Sequence, residues 1–191
     1  MASEVQIVNR ALRLLRVDQI SSLGEGTGQA NWAADTYPDA RDALVAEYPW
    51  NFAMARDSLP ALTDAPAWGY DYAYQLPADC LRLWSIQGEP ECEVAPYKIE
   101  GRRIVTDGAA PLKILYIRKI ENPGEFSPLF IEALVVKLAA EGAFRFTGSV
   151  AREQAMVELY REKVAMARRY DAQEGTPDPG PVADDWLRAR L

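Results

Sequence analysis

The chain has 191 residues, 49% of them hydrophobic and 26% charged, with a formal net charge of −7 and no histidine. That length buries a sizeable core without metal or disulfide support, and the composition is that of a folded soluble protein. The missing imidazole excludes serine–histidine and cysteine–histidine nucleophile pairs and histidine-containing zinc sites, and the acidic balance argues against a broad phosphate-binding surface, which needs a cationic excess.

Ser3 to Arg16 predicts an amphipathic helix capped by Ser3, with Val5, Val8, Leu12 and Leu15 at helical spacing. Ile7, Ala11 and Leu14 widen the stripe, and Arg10, Arg13 and Arg16 take the wetter side. The glycine-bearing run Ser21–Gly28 lacks the Gly-Lys-Ser/Thr ending of a phosphate loop and reads as a flexible connector. A second helix follows from about Gln29 to Tyr48, with a face of Trp32, Ala33, Tyr37, Ala40, Leu44, Val45 and Tyr48. Pro38 lies inside it and predicts a kink or break. Pro49 ends it, and Trp50–Ala53 forms a short helical turn leading to Leu59-Pro60.

Beyond Thr63 the period changes to two. Strands are predicted at Asp71–Leu76, at Leu81–Ile86, and at Glu93–Glu100 and Arg102–Thr106 as a hairpin around Glu100-Gly101. The clearest strand is Leu112–Ile120, rich in β-branched and aromatic residues. Helices return at Ser127-Pro128, a cap followed by proline at the first helical position. The helix from Pro128 to about Phe146 is apolar on several sides, which implies burial on several sides or against a neighbouring subunit. Ser149 caps a last helix over Val150 to about Tyr170. The fold class is therefore α+β. An antiparallel helical bundle (1–62 and 123–170) carries an inserted small antiparallel β unit (63–122), and an extended C-terminal tail follows (171–191).

The proline-rich tail cannot build a core alone. It ends in Asp184-Asp185-Trp186-Leu187-Arg188-Ala189-Arg190-Leu191. Tryptophan and leucine beside arginines on a tether suggest a docking peptide for another protein; the alternatives are a terminus packed on its own body and one that is simply disordered. Cys80 and Cys92 make no metal or disulfide pattern and read as reduced, partly buried thiols. Asp39, Asp42 and Glu47, like Glu89, Glu91 and Glu93, read as solvated acidic faces. Trp68, Tyr70, Tyr72 and Tyr74 lack interleaved cations and read as core or interface packing rather than a base-stacking platform. Arg102 and Arg103 sit by the hairpin tip, where contact with a partner and plain solvation are the two readings. No catalytic residue, metal site or cofactor is expected. No signal peptide is expected at Met1–Glu4, and no run reaches the ~18 apolar residues of a membrane span, so a cytosolic location is expected.

Three blocks together resemble one family. Asn9-Arg10-Ala11-Leu12-Arg13-Leu14-Leu15 resembles the first helix of the tail tubular protein A family of short-tailed bacteriophages. Tyr37 to Ala53, ending in Pro49-Trp50-Asn51-Phe52-Ala53, resembles a helix and turn of that family. Trp68-Gly69-Tyr70 with Tyr72-Ala73-Tyr74-Gln75-Leu76-Pro77-Ala78-Asp79-Cys80-Leu81-Arg82 resembles its tyrosine-rich strand and the turn after it. The resemblance spans about residues 3 to 170. It implies a structural head-to-tail adaptor: a twelve-copy ring below the portal protein, with the free chain able to be a monomer, and DNA passing through without sequence-specific binding. It also implies helices in the ring wall, a β unit facing the tail nozzle (tail tubular protein B-like), and a location in the virion neck after assembly in the host cytoplasm. On that basis Trp186, Leu187, Arg188, Arg190 and Leu191 are expected to bind the portal, and Arg102 and Arg103 the nozzle. The competing expectations are a tail-associated cell-wall hydrolase, which needs two carboxylates across a cleft, and a transient assembly factor.

Overall fold

The computed structural model describes residues 3–87 and 95–175. Helix α1 covers Glu4–Leu15. Its Ser3 side chain accepts from the Gln6 amide and Gln6 reaches back to the Ser3 amide, a reciprocal cap that satisfies two otherwise unpaired donors. Arg16 ends it in the left-handed region, φ 60°, a conformation that usually falls to glycine. Helix α2 covers Gly28–Glu47. It runs unbroken through Pro38, so no break occurs there. The carbonyl deprived of a donor is that of Ala34, an exposed residue whose carbonyl water can reach. Helices α3 (Pro128–Thr147) and α4 (Val150–Asp171) begin at the serine caps Ser127 and Ser149 and are joined through Gly148, φ 63°.

Six strands lie between α2 and α3 among the described residues: β1 Met54–Leu59, β2 Tyr72–Gln75, β3 Cys80–Gln87, β4 Tyr97–Glu100, β5 Arg103–Thr106 and β6 Leu112–Arg118. They form two antiparallel sheets, ordered β1-β6-β3 and β2-β5-β4. β1 precedes residue 63 and has no sequence-based counterpart above. Its residues Met-Ala-Arg-Asp-Ser-Leu show little strand propensity, and full pairing with β6 from Met54↔Ile117 to Leu59↔Leu112 makes the strand. The expected hairpin at Glu100-Gly101 is present, with β4 and β5 in register from Tyr97↔Thr106 to Glu100↔Arg103.

Two cores result. The helical core gathers Ile7, Leu12, Tyr37, Leu44, Trp50, Phe130, Leu134 and Leu138. The β core lies between the two sheets and holds Leu59, Tyr74, Leu83, Ile86, Ile104, Leu112, Ile114 and Tyr116. β6 serves both. With side chains alternating along a strand, Leu112, Ile114 and Tyr116 enter the β core while Ile117 enters the helical core. The α+β architecture follows from this shared strand, which fastens the β unit to the bundle.

Helix α3 is the centre of the bundle, packed by α1, α2 and α4. Most of its apolar side chains are thus covered inside the chain, while Phe144 stays 54% exposed. Leu14, expected on the buried stripe of α1, is instead 41% exposed. The Ser21–Gly28 connector is a closed loop rather than a loose one: the Glu25 carboxylate accepts from the amides of Ser21 and Ser22 and from the hydroxyls of Ser21 and Thr27.

Candidate functional site

The residues that carry the resemblance are joints of the framework. Asn9 exchanges two 2.8 Å hydrogen bonds with the main chain of Ile20, one in each direction, and so fixes the chain leaving α1. Trp50 is fully buried, and its indole N–H donates to the Leu44 carbonyl near the end of α2. This supplies a donor to one of the last helical carbonyls, which lack partners within the helix. Trp50, Phe52, Phe126 and Phe130 form a cluster of edge-on and stacked rings. Asn51 reaches 120 residues along the chain: its amide donates to the Asp171 carboxylate and its side-chain N–H to the Asp171 carbonyl at 2.6 Å. Burial pushes the Asp171 carboxyl upward in pKa, partly opposed by the amide of Asn51.

The Pro77–Arg82 block behaves alike. Arg102 donates to the carbonyls of Pro77, Ala78 and Cys80. Tyr116 donates to the Asp79 carboxylate at 3.3 Å, and the Lys119 amide to the Asp79 carbonyl at 2.7 Å. The Arg102 guanidinium therefore holds the turn between β2 and β3 while the residue remains exposed. Arg103, next to it, is exposed. It borders a hollow of about 430 Å3 with Asp64, Pro66, Gln75 and Glu100.

Of the four aromatics near this tip, Tyr74 is fully buried and donates to the Gly108 carbonyl at 2.7 Å. Tyr72 is partly exposed, whereas Trp68 is 87% exposed, beside Gly69 at φ 90°. Core packing therefore holds for Tyr74 and fails for Trp68, which stands on a turn with its ring in water. Asp42 and Glu47 are not idle acids either. Asp42 pairs with the buried Arg41 at 2.7 Å and with Lys119 at 3.6 Å. Glu47 brackets α4 by accepting from Tyr160 and pairing with Arg168.

A second hollow, about 400 Å3, lies on the bundle. Val135 and Val136 of α3 form its floor, Leu14 and Leu159 its apolar walls, and Arg10, Arg13 and Lys163 its cations. Sequence reading placed Arg10 and Arg13 on the wet side of α1 but had no means of setting Leu159 and Lys163 opposite them. The five expected portal-binding residues, Trp186, Leu187, Arg188, Arg190 and Leu191, lie outside the described residues, as do Cys92, Glu89, Glu91 and Glu93.

For chemistry, the described residues offer little that is reactive. Cys80 is buried, and desolvation pushes its thiol pKa up, which keeps it protonated and inert. Burial likewise pushes the Tyr37 phenol up to about 12. No group of three histidine, cysteine, aspartate or glutamate side chains among the described residues is placed to hold a metal, and none of their helices is long and apolar enough to cross a membrane. The geometry is that of a two-core body with one hollow on the helical bundle and one on the β unit. No protein-family model matches the chain, and no curated protein matches it.

Proposed function

We propose that this chain is a structural connector, a tail tubular protein A-like head-to-tail adaptor of a short-tailed phage. It forms a ring, twelve copies in the assembled virion, that joins portal to tail nozzle and lets DNA pass. The observation that carries the reading is the pair of separate surfaces: the Arg10–Leu14–Leu159 hollow on the helical core and the hollow of Asp64, Pro66, Glu100 and Arg103 on the β unit. A connector needs two faces held at a fixed separation, and β6, shared by both cores, supplies a rigid joint between them. The three motif blocks support the same reading, because each builds this joint or the helices beside it rather than a reactive centre.

In this reading the bundle forms the ring wall and the β tip faces the nozzle, with Arg103 and Trp68 as its contact residues. Trp186, Leu187, Arg188, Arg190 and Leu191 anchor the chain to the portal. The net charge of −7 disfavours retention of the DNA backbone, so that DNA slides. Electron microscopy of the chain mixed with the portal of its own phage tests the proposal: added ring density below the portal is expected, and unchanged portal particles overturn it. Deleting 183–191 is expected to abolish capture by that portal in a pull-down; undiminished capture removes the tail from the anchoring role.

A further inference from the structure

The hollow on the bundle continues into a stripe. Leu159, Lys163, Met166 and Tyr170 stand at i, i+4, i+7 and i+11 of α4, one face of a helix. Met166 is 42% exposed and Tyr170 54% exposed, large apolar side chains that nothing among the described residues covers. The stripe leads from the hollow to Asp171, the last residue of α4. Arg10 and Arg13 at the hollow take part in none of the ion pairs among the described residues, while Lys163 pairs with Glu132 at 2.7 Å. On a chain of net charge −7 this is a local cationic excess beside an apolar floor.

We infer that this hollow between α1 and α4 is the seat of the chain's own segment Asp184-Asp185-Trp186-Leu187, folded back along α4. Charge and shape both favour that occupant. Two adjacent carboxylates match Arg10 and Arg13, the two cations of the hollow left over once Lys163 pairs with Glu132, and an aromatic–aliphatic pair matches the Leu14, Val135, Val136 and Leu159 surface. The reach suffices. The stripe from Tyr170 back to Leu159 is about 16 Å long at the helical rise. The chain from Asp171 to Asp184, with Pro177, Pro179 and Pro181 favouring extended backbone, spans up to roughly 40 Å. A tether this short holds the segment at an effective concentration on the order of millimolar, which favours the chain's own tail over that of a second copy. Asn51 secures the point of departure by holding Asp171. The inference concerns the isolated chain and does not rest on the connector reading.

The test uses the full-length chain with Trp186 replaced by the photoreactive p-benzoylphenylalanine, irradiated at low concentration and mapped by mass spectrometry. Adducts within one chain are expected at α1 around Arg13-Leu14 and at α4 around Leu159–Met166. Arg10→Glu with Arg13→Glu is expected to lower their yield roughly tenfold, about what the loss of 1.4 kcal/mol gives. Adding Asp184→Arg and Asp185→Arg to that variant restores the yield if charge pairing is the cause. Met166→Glu, on an exposed position, lowers it without touching α1. Adducts elsewhere in the chain, adducts only between two chains, or a yield indifferent to these substitutions would overturn the inference.

Discussion

At the scale of single residues, the Asn51–Asp171 contact is where chemistry and folding meet. Asn51→Ala removes the N–H that donates to the Asp171 carbonyl but leaves the amide that donates to its carboxylate. The expected cost is about 1–2 kcal/mol in chemical denaturation. Asp171 itself is destabilised in its charged form, because burial raises its pKa above that of the unfolded chain. Its contribution to stability is therefore full below the ordinary aspartate value of about 3.9 and is lost as pH rises through the folded value. Asp171→Asn should match the parent at pH 3 and equal or exceed it at pH 7, measured by melting temperature across that range; a variant that falls further behind as pH rises refutes the assignment. Glu25 has the opposite sign. Four hydrogen bonds, led by the Ser21 hydroxyl, hold its carboxyl down to about 2. The loop it closes is thus stabilised above the unfolded glutamate value of about 4.3 and loosens as pH falls through about 2. Carboxyl-carbon NMR titration should place Glu25 near the lower value, and Glu25→Gln should speed hydrogen exchange at the Ser21 and Ser22 amides at pH 7.

At the scale of elements, the packing of α3 on α2 turns on one missing side chain. A Cβ at Gly142 would lie 2.9 Å from the Trp32 ring and 3.2 Å from the Phe146 ring, and those two rings already meet edge-on at 5.1 Å. Alanine is the better helix former by about 1 kcal/mol, yet the clash sits among rings with little freedom to yield. Gly142→Ala should therefore destabilise by about 1–3 kcal/mol, and a variant more stable than the parent in urea would show that the rings give way. Leu138, fully buried on the same helix, should cost about 2–5 kcal/mol when truncated to alanine. Comparable losses at helix and strand positions would mean that the two cores unfold together, as the shared strand β6 requires.

At the scale of the whole molecule, charge and surface decide what the protein can meet. Under the proposed connector reading, a chain of net charge −7 should not retain DNA. Fluorescence anisotropy of a labelled duplex should stay flat up to micromolar protein at low salt. A titratable increase with a salt slope steeper than about −2 in log–log form would mean at least two phosphate contacts and would turn the connector reading toward a DNA binder. Any ring contact must use faces left exposed by the fold, and Phe144, 54% exposed near the junction of α3 and α4, is the largest apolar side chain there. Phe144→Asp should leave monomer stability within about 0.5 kcal/mol while lowering, under the proposed connector reading, the occupancy of a ring on the portal.

The order of elements was legible in the amino-acid sequence because it is written locally. Ser3, Ser127-Pro128 and Ser149 start helices, Gly148 and Pro49 end them, and alternation marks β2 through β6. The exclusion of histidine chemistry needed no structure at all. What only the tertiary structure decided depends on partners distant in sequence. β1 is a strand because β6 lies beside it, not because Met54–Leu59 prefers to be one. Arg102 looked free until three carbonyls of a turn more than twenty residues away came within reach. The hollow between Arg13 and Leu159 exists only once α1 and α4 are laid against α3. A local pattern sets which backbone states a segment favours; which side chains face one another is set by burial shared among segments, and no window of the sequence contains both sides of that contact.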